Sequence, residues 1–347
     1  MRRLLLALAL LPLPALANDG WGGLTATGLT FGQTDAVAML SEDLTIAPDQ
    51  ISVDYTFRNQ TAQDVTGEVI FPMPPINLVE IEMSSWNLPE DRGRDNFLAF
   101  SATVNGQPQP VTIDRIAVVE DPDAWQRPPQ ARYDTPGRDI TAMLTGMGIP
   151  ITLDTEAIRA AFARLTPAQL KQLETASLTA HGLFDENDPL PYPTWSIVLR
   201  YHWTQTFPAG QDITIHHDYE NRPEGSIFSF EWPPTEEYQK SLVTGYCIDA
   251  PTGQKIMATL KSGDSDDEYG YWGAAYYIRY VLRTANSWAG PIGRFHLTLD
   301  KGDPGNALSV CMPGLEKTGP TRFEVTKENW SPPDDLEILL VRPRFSD

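Results

Sequence analysis

Trp195-Ser196-Ile197-Val198-Leu199-Arg200-Tyr201-His202-Trp203-Thr204-Gln205-Thr206-Phe207 places a large apolar side chain at nearly every second position. Successive side chains of a strand point to opposite faces, so a period of two marks a strand with one face buried. Trp195, Ile197, Leu199, Tyr201, Trp203 and Phe207 form that buried stripe. After Pro208-Ala209-Gly210 the rhythm resumes with Ile213, Ile215, His217 and Tyr219, and the two stretches read as a hairpin with an aromatic-rich inner face.

The same pattern extends in both directions along the chain. Ile51, Val53, Tyr55 and Phe57 share one face, while Ser52, Asp54, Thr56 and Arg58 share the other. Val65, Gly67, Val69 and Phe71 are expected to return beside them through a hairpin loop at 59–64. Further strands are expected at 276–282, 295–299, 323–325 and 336–341. Thirty prolines and 25 glycines suit the many short loops of an antiparallel protein.

Helical signals gather in the middle. Asp139 can cap a short helix running to Met147 and ending at Gly146 or Gly148, and Ile158, Phe162 and Leu165 recur at helical spacing. Thr166-Pro167-Ala168-Gln169 combines an N-cap, a proline at the first helical position and a capping-box glutamine. The fold class expected is therefore mainly β. Two antiparallel β-sandwich-like regions, residues 18–138 and 183–347, flank a short helical insertion or linker at 139–182. The Pro-, Arg- and Asp-rich stretch 121–138 reads as an exposed loop at the first boundary.

The chain opens with Met1-Arg2-Arg3, an apolar run from Leu4 to Leu13, and the small-x-small triplet Ala15-Leu16-Ala17. That is the form of a signal peptide cleaved after Ala17, which implies a periplasmic or extracellular protein. As a membrane anchor the run is too short and is interrupted by Pro12 and Pro14, and no later stretch suits a membrane helix. Removing residues 1–17 leaves 24 basic and 46 acidic side chains, a net charge of −22, which repels nucleic-acid phosphates.

Cys247 and Cys311 are the only cysteines. In an oxidising compartment a lone pair favours a bridge, expected here between two strands of the C-terminal region; two free buried thiols are the other reading. The five histidines do not have the spacing of a zinc site. His216 and His217 must point to opposite faces of a strand, and His217 reads as a hydrogen-bonded core histidine.

Gly263-Asp264-Ser265-Asp266-Asp267-Glu268-Tyr269-Gly270 offers oxygens at alternate positions. Asp264, Asp266 and Glu268 are thus a weak calcium candidate, set against a solvated acidic loop, and no other cofactor is implied. Glu42-Asp43 and Glu231 are conceivable glycosidase carboxylates, and Trp195, Trp203, Trp272 and Trp288 conceivable sugar platforms, although tryptophans on apolar faces more often pack in a core. The sequon Asn59-Gln60-Thr61 matters only in a glycosylating host. With no nucleophile elbow and no phosphate-binding glycine loop, the residues favour a non-enzymatic binding or structural protein with an unidentified protein or glycan partner. A carbohydrate-directed protein, lectin-like or glycosidase, is the alternative.

Several motifs together resemble an exported bacterial family, the domain of unknown function 4424 family. They begin with Asn18-Asp19, Gly22-Gly23-Leu24, Met39-x-Ser41-Glu42-Asp43-Leu44-x-Ile46 and Val53-Asp54-Tyr55-x-Phe57-Arg58-Asn59. Phe71-Pro72-Met73-Pro74, Trp203-x-Gln205-x-Phe207-Pro208-Ala209-Gly210 and His217-x-Tyr219 follow. The C-terminal half adds Tyr246-Cys247-Ile248-Asp249, Tyr280-x-Leu282-x-Thr284-Ala285-Asn286-x-Trp288, Asp300-Lys301-Gly302, Cys311 and Gly319-Pro320-Thr321-x-Phe323-Glu324. The resemblance implies a secreted or periplasmic bacterial setting and places both cysteines at family positions; it brings no catalytic residues with it.

Overall fold

A computed structural model describes residues 19–25, 28–83, 88–121, 137–263 and 271–344. The signal segment, most of the 121–138 loop and the acidic run 264–270 lie outside the described residues.

The architecture is mainly β, as the alternation predicts. One sheet orders its strands Arg138–Asp139, Thr112–Val119, Ser196–Phe207, Val65–Pro72, Gly20–Thr25 and Gly28–Phe31, with Ile76–Asn77 also pairing the long strand. A second orders Glu316–Lys317, Arg322–Trp330, Ile292–Asp300, Val37–Ile46, Gln50–Asn59, Asp212–Glu220, Ser101–Val104 and Gln107–Gln109. Among the described pairs all are antiparallel except Val37–Ile46 with Ile292–Asp300. A third, four-stranded sheet runs Glu224–Ser229, Trp272–Tyr280, Leu336–Pro343 and Ala307–Val310. Both large sheets mix strands from residues 20–119 with strands from beyond residue 190.

Neither expected hairpin forms. Gln50–Asn59 pairs Val37–Ile46 and Asp212–Glu220, whereas Val65–Pro72 pairs Gly20–Thr25 and Ser196–Phe207. At 59–64, and again at 208–211, the chain crosses from one sheet to the other. The buried stripes therefore meet across the sandwich: Phe57 lies 5.9 Å from Phe207, Trp203 5.3 Å from His217 and Phe71 5.1 Å from Tyr219, measured between ring centroids. Alternation fixes which face is buried, and facing strands in opposite sheets satisfy it as well as neighbours in one sheet do. The two arches are tied together. Asn59 is fully buried and its Nδ2 donates to the carbonyls of Gln63 and Phe207, both at 2.8 Å, while the Ala209 N–H donates to Asp64 at 2.8 Å. The sequon asparagine is therefore enclosed by the fold.

In the helical middle, the Thr166–Gln169 capping box forms at the start of Pro167–Thr175, and Asp154 caps Thr155–Phe162. Thr141–Gly146 departs from its expected cap. Ile140 occupies the cap position and Asp139 ends a two-residue strand, yet its carboxylate still accepts the Thr141 N–H at 2.7 Å. Two further helices, Glu237–Gly245 and Ala250–Lys261, were not read from the sequence, although Asp249-Ala250-Pro251 is an N-cap followed by an early proline.

Cys247 and Cys311 sit at disulfide distance, 2.06 Å between sulfurs and 5.1 Å between Cα atoms. The expected strand-to-strand placement is corrected: Cys247 lies in the turn between those two helices, and Cys311 follows the strand Ala307–Val310. Cys247 has φ of +53°, the sharp reversal that turns one helix into the next. The chain buries one large apolar core between the two long sheets and a separate small one under the third.

Candidate functional site

Strand ends of both long sheets meet the Trp272–Tyr280 strand of the third sheet at one place. A partly open cleft lies there. Its floor comes from Ile51, from the Phe71-Pro72-Met73-Pro74-Pro75 run that ends a strand, and from Phe97 and Leu98. Tyr219 to Glu224, the link between the second and third sheets, forms one wall, and Tyr277, Arg279, Tyr280 and Val281 form the other. Prolines fit this position because a strand end beside a cleft has no ladder partner requiring its N–H. Glu220 accepts from Arg222 at 2.8 Å and also pairs with Arg94, so the rim guanidinium at 222 is already matched.

Behind Tyr219 and Tyr280 the core contains charge-bearing side chains. Asp19, Glu42 and His217 are each 0% exposed. Glu42 reaches inward because residue 42 shares the buried face of its strand with Leu44 and Ile46, while Asp43 points to solvent. His217 points inward from Asp212–Glu220, and its neighbour His216 faces outward between Asp54 (2.9 Å) and Asp218 (2.6 Å). His217 Nε2 lies 3.6 Å from an Asp19 carboxylate oxygen, and the hydroxyls of Tyr55 and Tyr280 are 3.2 Å apart. Trp288 fixes the entering chain by donating its indole N–H to the Asp19 carbonyl.

Burial decides the protonation states. It pushes Glu42 up to about 8, although the Tyr280 hydroxyl favours the charged form from beyond ordinary hydrogen-bond length. It raises Asp19 well above the usual carboxylate range, and the Glu42 charge raises it further. It drives His217 down to about 3, with His216 adding to the depression. Around neutrality the cluster therefore holds a neutral imidazole and mostly protonated Glu42.

The sequence-derived candidates fare unevenly. His217 is the core histidine expected, but its ring nitrogens have no partner within hydrogen-bond distance. The Glu42-Asp43 pair is split between interior and surface, and Glu231 is exposed and accepts from Thr235. Trp195, Trp203 and Trp288 are 1%, 3% and 1% exposed, so the sugar platform proposed from them does not exist. Trp272 is half-buried, under the Arg344 guanidinium at 4.2 Å. The calcium candidate Asp264, Asp266 and Glu268 lies outside the described residues. Among the described residues no group of three or more His, Cys, Asp or Glu side chains is arranged to hold a metal ion. Nor is any described helix long and apolar enough to cross a membrane. Tyr55, Tyr219 and Tyr280 were read from the sequence as strand residues and as parts of the resemblance motifs, not as a cluster, since nothing in a period-two pattern marks them as neighbours.

The sequence model described as "Domain of unknown function (DUF4424)" matches residues 17–339. The chain belongs to this family. Asp19, Glu42, Tyr55, Phe71 to Pro74, His217, Tyr219 and Tyr280 all come from segments that carry the DUF4424 resemblance, and they converge on the cleft and the cluster behind it. No curated protein matches this DUF4424 chain. A solved structure from Legionella pneumophila, named a "putative nutrient binding protein", is similar over 93% of this chain and 72% of its own, at 16% identity and a TM-score of 0.43.

Proposed function

We propose that this DUF4424 protein is an exported, non-enzymatic binding protein whose small-molecule ligand sits in the cleft between the sandwich and the third sheet. The observation that carries this reading is the cleft itself. A recess with an apolar, proline- and tyrosine-lined floor and a few charged groups at its rim has the composition usual for a ligand pocket. A binding role is favoured over catalysis by where the titratable groups lie. Glu42 and His217 are fully buried and do not line the cleft, and of the carboxylates that do, Glu220 is engaged by Arg94 and Arg222. Export is supported by the leader read at residues 1–17 and by the cysteine pair at bonding distance.

The test is a thermal-shift screen of a broad soluble metabolite set, repeated on Met73→Trp, which fills the cleft from a half-buried position. Hits should stabilise the native protein by several degrees and lose that effect in the variant. Either the absence of any hit or hits that survive the filled cleft would end this reading.

A further inference from the structure

Glu224-Gly225-Ser226-Ile227-Phe228-Ser229 is an outer strand of the third sheet. It pairs on one side with Trp272–Tyr280, from Glu224 opposite Tyr277 to Ser229 opposite Trp272. Among the described residues its backbone makes no other hydrogen bond. In an antiparallel pair alternate residues turn their N–H and C=O away from the partner, so the outer side of this strand is a row of donors and acceptors open to solvent.

Proteins blunt such edges by keeping them short, charging them, inserting proline or covering them. The other outer strands of the three sheets follow this rule. Arg138–Asp139 and Glu316–Lys317 are two exposed charged residues each, Gln107–Gln109 contains Pro108, and Gly28–Phe31 has four residues. Ala307–Val310 lies against Ala250–Lys261 and is tied down by the neighbouring cysteine pair. Glu224–Ser229 has six residues, no lysine, arginine or proline, and an isoleucine, Ile227, that is 77% exposed. Phe228, 2% exposed in the small core, fixes the opposite face as the one on which Ile227 stands.

On that face Gly225 and Ala274, which have little or no side chain, lie low among Ile227, Tyr276, Trp272 and Arg344 and form a shallow recess along the strand. A large apolar side chain on a strand added at this edge can lean across Gly225 toward Ala274. The edge thus selects an extended backbone, and the recess selects apolar side chains at alternate positions. Charge narrows the choice of segment. Glu224 opens the strand and Glu231 follows its end. A second copy paired antiparallel about Ile227 would set Glu224 of each chain near Glu231 of the other, between chains that each carry −20.

We propose that Glu224–Ser229 is a docking edge for an extended, non-acidic polypeptide segment of another protein, which joins the third sheet as a fifth strand and lays apolar side chains along the recess. This surface shares only Glu224 with the lining of the cleft and does not depend on a ligand there.

The test is selection of a displayed library of random eight-residue peptides on the purified protein and, in parallel, on Ile227→Lys. That variant puts a charge on the edge at an exposed position and leaves the small core alone. The wild type should enrich peptides with β-branched or aromatic residues at alternate positions and few acids. Synthesised, these peptides should bind Ile227→Lys about tenfold or more weakly, lose binding when alternate backbone nitrogens are methylated, and bind Met73→Trp as they bind wild type. Their addition should slow hydrogen exchange at the amides of Gly225–Ser229 that face away from Trp272–Tyr280. The proposal is overturned if no enrichment depends on Ile227, or if the peptides still bind after methylation. It is equally overturned if those outward amides are already slow in the free protein, which would mean that another segment of this chain occupies the edge. A dimer in sedimentation that Ile227→Lys dissociates would overturn it too, in favour of a second copy.

Discussion

The two cores of this molecule are built on different terms. The large one, between the long sheets, surrounds Asp19, Glu42 and His217 with stacked rings and holds its layers together with no covalent crosslink among the described residues. The small one packs Phe228, Phe230, Leu242, Ile248, Ile256, Leu260, Ala275, Ala307, Leu339 and Val341 beneath the third sheet and, among the described residues, contains no buried carboxylate or imidazole of its own. It carries the cysteine pair instead. A small core cannot supply much stabilisation, and small units commonly add a staple, whereas a large core can absorb the cost of buried ionisable groups. The difference places tolerance for buried charge, and hence the candidate site, in the sandwich.

The largest expected effect comes from removing the staple. With a sequence separation of 64 between the cysteines, Cys247→Ser/Cys311→Ser should cost about 4 kcal/mol in the chain-entropy account. Hydrogen exchange should show Ala250–Lys261 and Ala307–Val310 opening first. Uniform loss of protection across both cores would mean that they are one cooperative unit and would break the comparison.

The next effect has the opposite sign and belongs to the large core. Glu42 has an ordinary value of 4.5 and about 8 when folded, so between those values the folded state holds a proton that the unfolded chain has lost. Stability should therefore fall as pH rises through that window, by about 1.4 kcal/mol per unit. Raised Asp19 acts in the same direction. His217, ordinary value 6.5 and about 3 when folded, acts in the other, its contribution being lost as pH falls from 6.5 toward 3. The two oppose each other between about 4.5 and 6.5, and the carboxyls dominate above that. Urea unfolding should accordingly find the protein more stable near pH 5.5 than near pH 8. Glu42→Gln should be about 3 kcal/mol more stable than wild type at pH 7 and equal to it near pH 4.5. A pH-independent difference would show that Glu42 is not titrating as its burial requires.

A smaller effect probes the arches that join the sheets. Asn59→Ala removes two buried side-chain donor bonds, to the Gln63 and Phe207 carbonyls, at a cost of about 2 kcal/mol. In a glycosylating host, mass spectrometry of the folded secreted protein should find Asn59 unmodified. The smallest effect is at the surface: Arg58→Ala, which breaks a half-exposed pair with Asp212, should change stability by less than about 1 kcal/mol.

Which side chains face inward was legible from the residues alone. Every member of the Trp195 to Phe207 stripe other than Gln205 was chosen by alternation, and all are buried. The Thr166–Gln169 cap was legible because its chemistry is local, completed within four residues. The helices flanking Cys247 were missed because their apolar positions are few and a neighbouring sheet supplies their packing, although the Asp249-x-Pro251 start was there to be seen. The candidate site was hardly legible at all. Glu42 was considered as one of a pair with Asp43, yet its real company is Tyr280 and Asp19.

The sequence by itself determined a mainly β chain, the inner face of the strands that alternation revealed, the cap of one middle helix and the only possible partner for each cysteine, because these follow from local periodicity and from counting. Tertiary structure decided which sheet each stripe joins, that both expected hairpins open into arches, and that residues 19, 42, 55, 217 and 280 meet behind one cleft. Alternation sets the direction of a side chain and carries no information about what stands opposite. That is settled only when two sheets close on each other and the interior they enclose is deep enough to strip Glu42 and His217 of water.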